Sequence, residues 1–345
     1  MELNVDYAVE RLVSLLKIPS PSGNTKKAID FVNEEFKTLG IRTYMTNKGA
    51  LIATIRGKNQ NKEVTLSAHV DTLGGMVKEI KSSGRIKFTQ IGGYVMNTVE
   101  GEYVYIENSN NNLYSGTILT TKASSHVHGQ ETKEIERNME NMEIRLDEKV
   151  SSKKDIENLG INIGDYVFFE PRTTITNSGF IKSRHLDDKA GVASLLGIAK
   201  YLVDNNIKPK YTTNFFISNY EEVGHGASAA IPNKTFEFIA VDMAAPGKGQ
   251  SSDEYSVTIC AKDSSGPYDL ELKKKLVNLA EKNDLSYKID IYPYYGSDGS
   301  AALKSGYDIK VGLIGPGVDA SHSFERTHKE AIENTVKLGI LYLTE

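Results

Sequence analysis

Cysteine is nearly absent from this chain: Cys260 is the only one in 345 residues. That excludes an internal disulfide framework and fits a reducing compartment. Within Tyr255-Ser-Val-Thr-Ile-Cys260 the thiol lies in a strand-like apolar run and reads as core rather than as a nucleophile. Long hydrophobic runs are also lacking, and none approaches the roughly 20 residues that a membrane helix requires. The start, Met1-Glu-Leu-Asn-Val-Asp-Tyr7, is acidic and has no basic region followed by an apolar core, so a mature cytoplasmic N-terminus is expected. An excess of one charge is missing too. The 41 basic and 45 acidic side chains leave a net charge of −4, and no Lys/Arg block is long enough to track phosphates, so nucleic acid is not an expected partner. Neither internal repeats nor low-complexity tracts are evident. The length is enough for two domains, or for one large domain carrying an insertion.

Leu3, Val5, Val9, Leu12, Val13 and Leu16 recur at helical spacing and predict a helix over 3–17, stopped by Pro19 and Pro21-Ser-Gly23. A second amphipathic helix is expected over 25–39, with Gly40 ending it. Strands follow over 41–46, 51–55 and 64–68, the last running into His69-Val-Asp71. From Leu73 to about Phe169 glycine and asparagine become frequent and short alternating segments replace the helical pattern, as half-buried strands in a small β-rich unit would. Residues 74–168 are therefore expected to be an insertion between two parts, 1–73 and 169–345, of one catalytic domain. Within it, 132–146 is strongly charged and reads as a surface helix or a mobile excursion, and 163–168 as a closing strand. Beyond it, helices over 189–203, 268–282 and 328–341 alternate with strands over 211–218, 236–241, 287–291 and 309–314, and the turn at 296–300 opens a short helix. This alternation predicts an α/β fold with a mixed, largely parallel sheet and helices on both faces.

Strand 211–218 ends in two adjacent carboxylates, Glu221 and Glu222. Successive strand residues face opposite sides, so such a pair can send one carboxylate to a metal and the other to substrate or water. His69, Asp187, Glu222, Asp242 and His322 each lie just beyond an expected strand or at a turn feeding a helix. In an open α/β sheet those strand ends share one edge, where residues distant in sequence converge. Two imidazoles with several carboxylates suit zinc, and also cobalt or manganese. Two divalent ions roughly 3.5 to 4 Å apart need a bridging carboxylate, for which Asp187 is the candidate.

His69-Val-Asp71, Leu186-Asp-Asp-Lys-Ala-Gly191, Glu221-Glu-Val-Gly224, Val241-Asp242 and Ser321-His-Ser323, in that order, resemble the co-catalytic metallo-aminopeptidases of peptidase family M42. The resemblance spans nearly the whole chain, including the interruption after His69-Val-Asp71. It implies the three-layer α/β/α fold of co-catalytic zinc exopeptidases with an inserted small β-rich domain. It further implies that His69 and Asp242 hold one metal, Glu222 and His322 the other, and Asp187 both. Glu221 is then the general base that activates a metal-bridging water, and Asp71 accepts a hydrogen bond from the distal nitrogen of His69 and fixes its tautomer. The implied substrates are peptides with a free N-terminus. The implied assembly is a homo-oligomer, commonly a dodecamer, to which the inserted domain contributes contacts and access.

The chain departs from the family pattern in two places. Gly224-His-Gly-Ala-Ser228 puts His225 where it could alter the pocket or add a nitrogen near the metals, and Tyr295-Gly-Ser-Asp-Gly-Ser300 leaves Ser297 and Asp298 a backbone or substrate-positioning role. Some motifs are decoys. Gly224-His-Gly-Ala-Ser-Ala229 mimics a dinucleotide fingerprint, but the carboxylates before it would repel a pyrophosphate. His126-Val-His128 has same-face strand spacing and reads as a surface or subunit contact; His328 reads as solvated or helix-capping. Asp188 is expected to cap or pack near the helix that follows, and Arg184 and Lys189 to be structural or exposed. A Ser-His-Asp hydrolase lacks its Gly-x-Ser-x-Gly elbow. The alternative readings are a glycoside hydrolase, suggested by the carboxylates and by the endoglucanase-like label some relatives carry, a deacylase or carboxypeptidase on a related scaffold, and a non-catalytic assembly protein.

Overall fold

A computed structural model describes residues 3–345; Met1 and Glu2, the first of the stretch read above as an N-terminus, lie outside the described residues. The chain divides into two compact units, Met1–Asp71 with Arg172–Glu345, and Thr72–Pro171. The first unit begins with helices α1 (Val5–Leu16) and α2 (Lys26–Thr38) and strands β1 (Arg42–Met45), β2 (Leu51–Ile55) and β3 (Asn59–His69). Asn4 caps α1 by accepting the N–H of Asp6 at 3.1 Å, which satisfies one of the orphan donors of a helix start.

The second unit holds strands β4 (Gly74–Ile80), β5 (Ile86–Ile91), β6 (Tyr103–Glu107) and β7 (Leu113–Thr120), one-turn helices α3 (Ser125–His128) and α4 (Glu131–Glu134), strand β8 (Met142–Leu146), helix α5 (Lys153–Asn158) and strand β9 (Tyr166–Phe169). The strands close into a barrel in the order β4-β5-β8-β7-β6-β9. Two expectations change here. The charged run over 132–146 ends in a strand: Met142, Ile144 and Leu146 point into the barrel core while Glu143 and Arg145 face outward, so alternation hides the apolar set among charges. His126 and His128 lie on a single exposed helical turn, not on a strand.

The chain re-enters the first unit through β10 (Thr174–Ile175), β11 (Phe180–Ser183), α6 (Leu186–Asp204), β12 (Tyr211–Ser218), β13 (Thr235–Val241), β14 (Val257–Asp263), β15 (Gly266–Pro267), α7 (Leu270–Lys282), β16 (Tyr287–Ile291), α8 (Asp298–Lys304), β17 (Lys310–Pro316), β18 (Glu325–His328) and α9 (Lys329–Thr344). A nine-stranded sheet runs β1-β2-β12-β3-β13-β17-β14-β15, with β16 beside β14. It is less parallel than alternation predicts. Only β12, β3, β13 and β17 form a continuous parallel block, while β1, β2 and β14 join antiparallel. A separate small sheet pairs β10, β11 and β18; its strands are two to four residues long, too short for periodicity to announce it.

Buried on both faces, the central strands read as continuous apolar runs. Phe215 and Phe216 on β12 are both wholly buried and point to opposite sides. Phe215 joins the core beneath α1, α2, α6, α7 and α9, and Phe216 joins Ile52, Phe238, Ala240 and Leu313 on the face that α8 covers. Each such burial stabilises by roughly 1.5–3 kcal/mol. Helix α6 is buried along most of its length and packs between α1 and α9. Gly339 of α9 permits this, because a Cβ there would stand 2.4 Å from Cδ1 of Ile198.

Candidate active site

The four parallel strands end on one edge, and each delivers a candidate at or just beyond its end. His69 closes β3, Glu221 and Glu222 follow β12, Asp242 follows β13, and His322 lies in the loop after β17. Asp187 comes from the mouth of α6, where Asp187 and Asp188 depart from helical geometry. Its carboxylate stands between the imidazoles: Oδ1 is 3.3 Å from Nε2 of His69, and Oδ2 is 3.3 Å from Nε2 of His322. Glu222 lies 3.4 Å from the same nitrogen of His322, and Glu221 lies 3.6 Å from Nε2 of His69. Two donor groups result, His69 with Asp187 and Asp242, and Asp187 with Glu222 and His322; within each, the ligating atoms lie within 4.8 Å of one another.

The glutamates do not use strand alternation to separate. They sit on a 3-10 turn, Glu221–Val223, past the end of β12. Asp71 holds that turn: its Oδ1 accepts the N–H of Glu221 at 3.0 Å, and its Oδ2 accepts the N–H of Glu222 at 3.2 Å and the hydroxyl of Ser22 at 2.5 Å. The closest partner of Nδ1 of His69 is accordingly the backbone carbonyl of Asp71, at 2.9 Å, with the Asp71 carboxylate at 3.5 Å. Asp71 thus orients His69 chiefly through its main chain and the glutamate turn through its side chain, which revises the role expected for its carboxylate.

Backbone strain concentrates around these donors. Tyr220, His185, Ala320 and His322 all have positive φ, between 57° and 70°, a conformation that costs non-glycine residues about 1–3 kcal/mol each and gathers at functional sites. Glu325 offsets part of that cost. Buried behind the cluster, it accepts the N–H groups of Leu186 at 2.6 Å, Asp187 at 3.2 Å and His322 at 3.2 Å. Ser321 donates to Asp187, and Arg184, buried, donates to the carbonyl of Ser323. Sequence reasoning missed Glu325, the first residue of β18; its one signal is its position three residues after His322.

Other candidates resolve into supporting roles. Asp298 accepts the hydroxyl of Ser218 at 3.0 Å and the N–H of Ala227 at 2.9 Å, tying α8 to the glutamate loop. Ser297 caps α8. His225 has an exposed side chain outside both donor groups; its carbonyl and that of Gly226 accept from Lys48, a clamp with no sequence signature. His328 is buried, caps α9 by accepting the N–H of Glu330, and pairs through Nε2 with the carbonyl of Ser178. Asp188 caps α6 through the N–H of Gly191 and also accepts the N–H of His69. Lys189 is wholly buried and donates to the carbonyls of Leu15 and Ile18. Tyr295, also missed, lines the cleft and donates to the carbonyl of Met243.

The electrostatics describe a site short of positive charge. Burial, then the charge of Asp187, pushes the carboxyl of Asp242 up to about 7. Burial also raises Glu221 and Glu222 well above the carboxylate range, with Asp242 adding to the first and Asp187 to the second. Asp187 moves the other way: burial opposes it, but hydrogen bonds with His322 and His69 hold its carboxyl low. His69 is raised, the charges around it outweighing its burial. Several buried carboxylates share two imidazoles, so the cluster retains protons unless cations compensate. These oxygen and imidazole donors fit divalent metal ions. The cleft they open on encloses about 500 Å³.

A mixed α/β sheet with a buried and a half-exposed imidazole gathered with carboxylates at its parallel strand ends is an arrangement suited to a metal-dependent hydrolase. The chain belongs to the M42 peptidases: the M42 glutamyl aminopeptidase family matches residues 49–338. A relative in Bacillus subtilis (strain 168) that carries an aminopeptidase name, YhfE, is 54% identical over 340 residues, covering 99% of this chain and 98% of that protein. Among solved structures, the Pyrococcus horikoshii TET1 peptidase, described as assembling into a tetrahedron or a large octahedral shell, superposes with a TM-score of 0.86 at 23% identity, covering 98% of this chain and 99% of that one. A Thermotoga maritima protein described as an endoglucanase has a TM-score of 0.76 at 22% identity, covering 96% of each chain. The chain is thus a peptidase of an aminopeptidase family, and that membership implies divalent metal binding.

Proposed function

We propose that the protein is a two-metal aminopeptidase that removes the N-terminal residue of peptides, on a three-layer α/β/α catalytic domain. His69 and Asp242 would hold one divalent ion, Glu222 and His322 the other, and Asp187 both. The observation that carries this reading is the Asp187 carboxylate, with one oxygen facing each imidazole at 3.3 Å. When bound, the ions supply Lewis-acid polarisation of the scissile carbonyl and acidify water. Zinc, cobalt and manganese all suit the donors.

Glu221 is the proton carrier. Its backbone is pinned by Asp71, its carboxyl is raised by burial, and the side chain adjoins the imidazole of His69. Such a carboxylate takes a proton from attacking water and returns it to the leaving amine. The cleft lining includes Asp187, Glu221, Glu222 and Asp242; with the other three given to the ions, Glu221 is the carboxylate left to face a substrate's cationic α-ammonium. That pairing favours N-termini over internal peptide bonds. A glycosidase needs two flanking carboxyl groups and no imidazole between carboxylates, so the endoglucanase description of one fold neighbour is not extended to this chain. Family kinship supports self-assembly, with a dodecamer and a contact role for the barrel as the reading, and the lone buried Cys260 fits a reducing compartment such as the cytoplasm.

The test strips the enzyme with chelator and assays free-amine and N-acetylated peptides with and without zinc, cobalt or manganese, beside Glu221→Gln. The expected result is hydrolysis of the free-amine set alone, restored by metal and abolished in Glu221→Gln with metal content intact. Equal cleavage of acetylated peptides, or activity indifferent to metal, would overturn the reading.

A further inference from the structure

We propose that the backbone N–H of Gly226 is a substrate-binding donor that takes the first carbonyl of the leaving peptide, and that Lys48 is the positioning residue that aims it. The inference rests on the aminopeptidase reading. Lys48 lies in the turn between β1 and β2 and grips the glutamate loop at both ends. Its carbonyl accepts from Nδ2 of Asn219 at 2.9 Å, just before the glutamates, and its ammonium donates to the carbonyls of His225 and Gly226, just after them. Two successive carbonyls are thereby turned to one side. In a trans peptide the N–H points opposite the carbonyl it is joined to, and among the described residues only Asp187-Asp188 is cis. The N–H groups of Gly226 and Ala227 therefore face away from Lys48.

Ala227 shows what lies on that side. Its N–H reaches Asp298 at 2.9 Å, at the start of α8, and Ser297 and Ser300 of that same end line the cleft. Gly226 lines the cleft as well, whereas Lys48 does not. Gly226 is buried, yet its N–H has no hydrogen-bond partner among the described residues. A buried backbone donor left without an acceptor is rare and costly. No side chain can be the answer at this position, because a Cβ on Gly226 would stand 1.8 Å from Oδ1 of Asp298. The same point is 3.3 Å from Cα of Glu221, so the donor adjoins the residue that returns a proton to the leaving amine. The scissile nitrogen must come to Glu221 to collect that proton. Beyond this nitrogen, the first acceptor a peptide offers is the carbonyl of the residue that follows the cleaved bond. A peptide fills the bare donor, and a simple amide without that carbonyl leaves it bare.

Leu-Ala amide carries that carbonyl, and leucine isopropylamide keeps the same branch at the leaving nitrogen without it. In the metal-loaded enzyme, Lys48→Met should lower the kcat/KM ratio of the first to the second about 5-fold, the scale of one neutral hydrogen bond. The change should fall on the KM of Leu-Ala amide, and Lys48→Arg should retain the parent's ratio. A ratio within about 1.5-fold of the parent's in Lys48→Met would overturn the proposal. Calorimetry of both ligands on metal-loaded Glu221→Gln, with and without Lys48→Met, reads binding apart from turnover. With Lys48 intact it is also independent of how well Lys48→Met folds: Leu-Ala amide should bind about 5-fold tighter, and equal affinities would sink the proposal. Cleavage of both substrates at a ratio indifferent to Lys48 removes this assignment and leaves the aminopeptidase reading. A Lys48-dependent preference in binding, by an enzyme that cleaves neither, removes that reading and leaves this one.

Discussion

Asp71 gives one carboxylate oxygen to the N–H of Glu221 and the other to Glu222 and Ser22. A carboxamide cannot accept at both positions. Asp71→Asn should therefore lower activity about 10- to 100-fold, the range for residues that orient ligands from behind, with kcat and metal content measured together. Cys260 makes a second case. Burial pushes its thiol from the ordinary 9.0 up to about 12. In that window the unfolded thiol ionises and the folded one does not, so this group's share of stability is full below pH 9 and declines as pH rises toward 12. The same shift predicts negligible alkylation by iodoacetamide at pH 8 until the protein is unfolded, followed by mass spectrometry of the labelled chain. The candidate donors were legible because a His or acidic residue at the end of an apolar run has few structural reasons to be there. Asp71 and Glu325 act on backbone N–H groups brought from elsewhere in the chain, and no spacing rule encodes such partners.

At the scale of elements, α6 begins under tight constraint. A Cβ on Gly191 would stand 2.2 Å from the carbonyl oxygen of Val241 and 2.3 Å from Oδ1 of Asp188. Gly191→Ala should push α6 off β13 and destabilise the protein by about 3 kcal/mol or more, seen as a lower urea midpoint in circular dichroism. Strands β2, β12 and β16 were readable to the residue, because short β-branched and aromatic runs between turn residues have one good interpretation. Strand β8 was not, since Glu143 and Arg145 interrupt its inward set. Strands β11 and β18 were missed for a different reason: they pair with each other beside the His322 loop, and four residues apiece are too few for alternation to register.

Considered as a whole molecule, the chain contains a barrel with its own core, from Leu73 through Phe169. A fragment spanning 72–171 should therefore fold alone and unfold cooperatively in denaturant, monitored by circular dichroism and by dispersed amide resonances. Native mass spectrometry of the intact protein should read a multiple of 38.1 kDa, twelvefold if the proposed dodecamer forms; the bare monomer mass would remove the assembly reading. The two-unit division was signalled by a change of texture near Leu73, whereas barrel closure was not, because closure depends on register between strands and register leaves no mark on composition.

Strand β17 lies between β13 and β14 in the sheet, although the chain makes β14 well before β17. On a ribosome, the slot beside β13 stays open until β17 emerges, and until then β14 with β16 has no sheet partner on its β17 side. His322 follows β17, so the second donor group also forms only after β17 has been made. An unfinished chain consequently carries Glu221 and its neighbours without a finished centre.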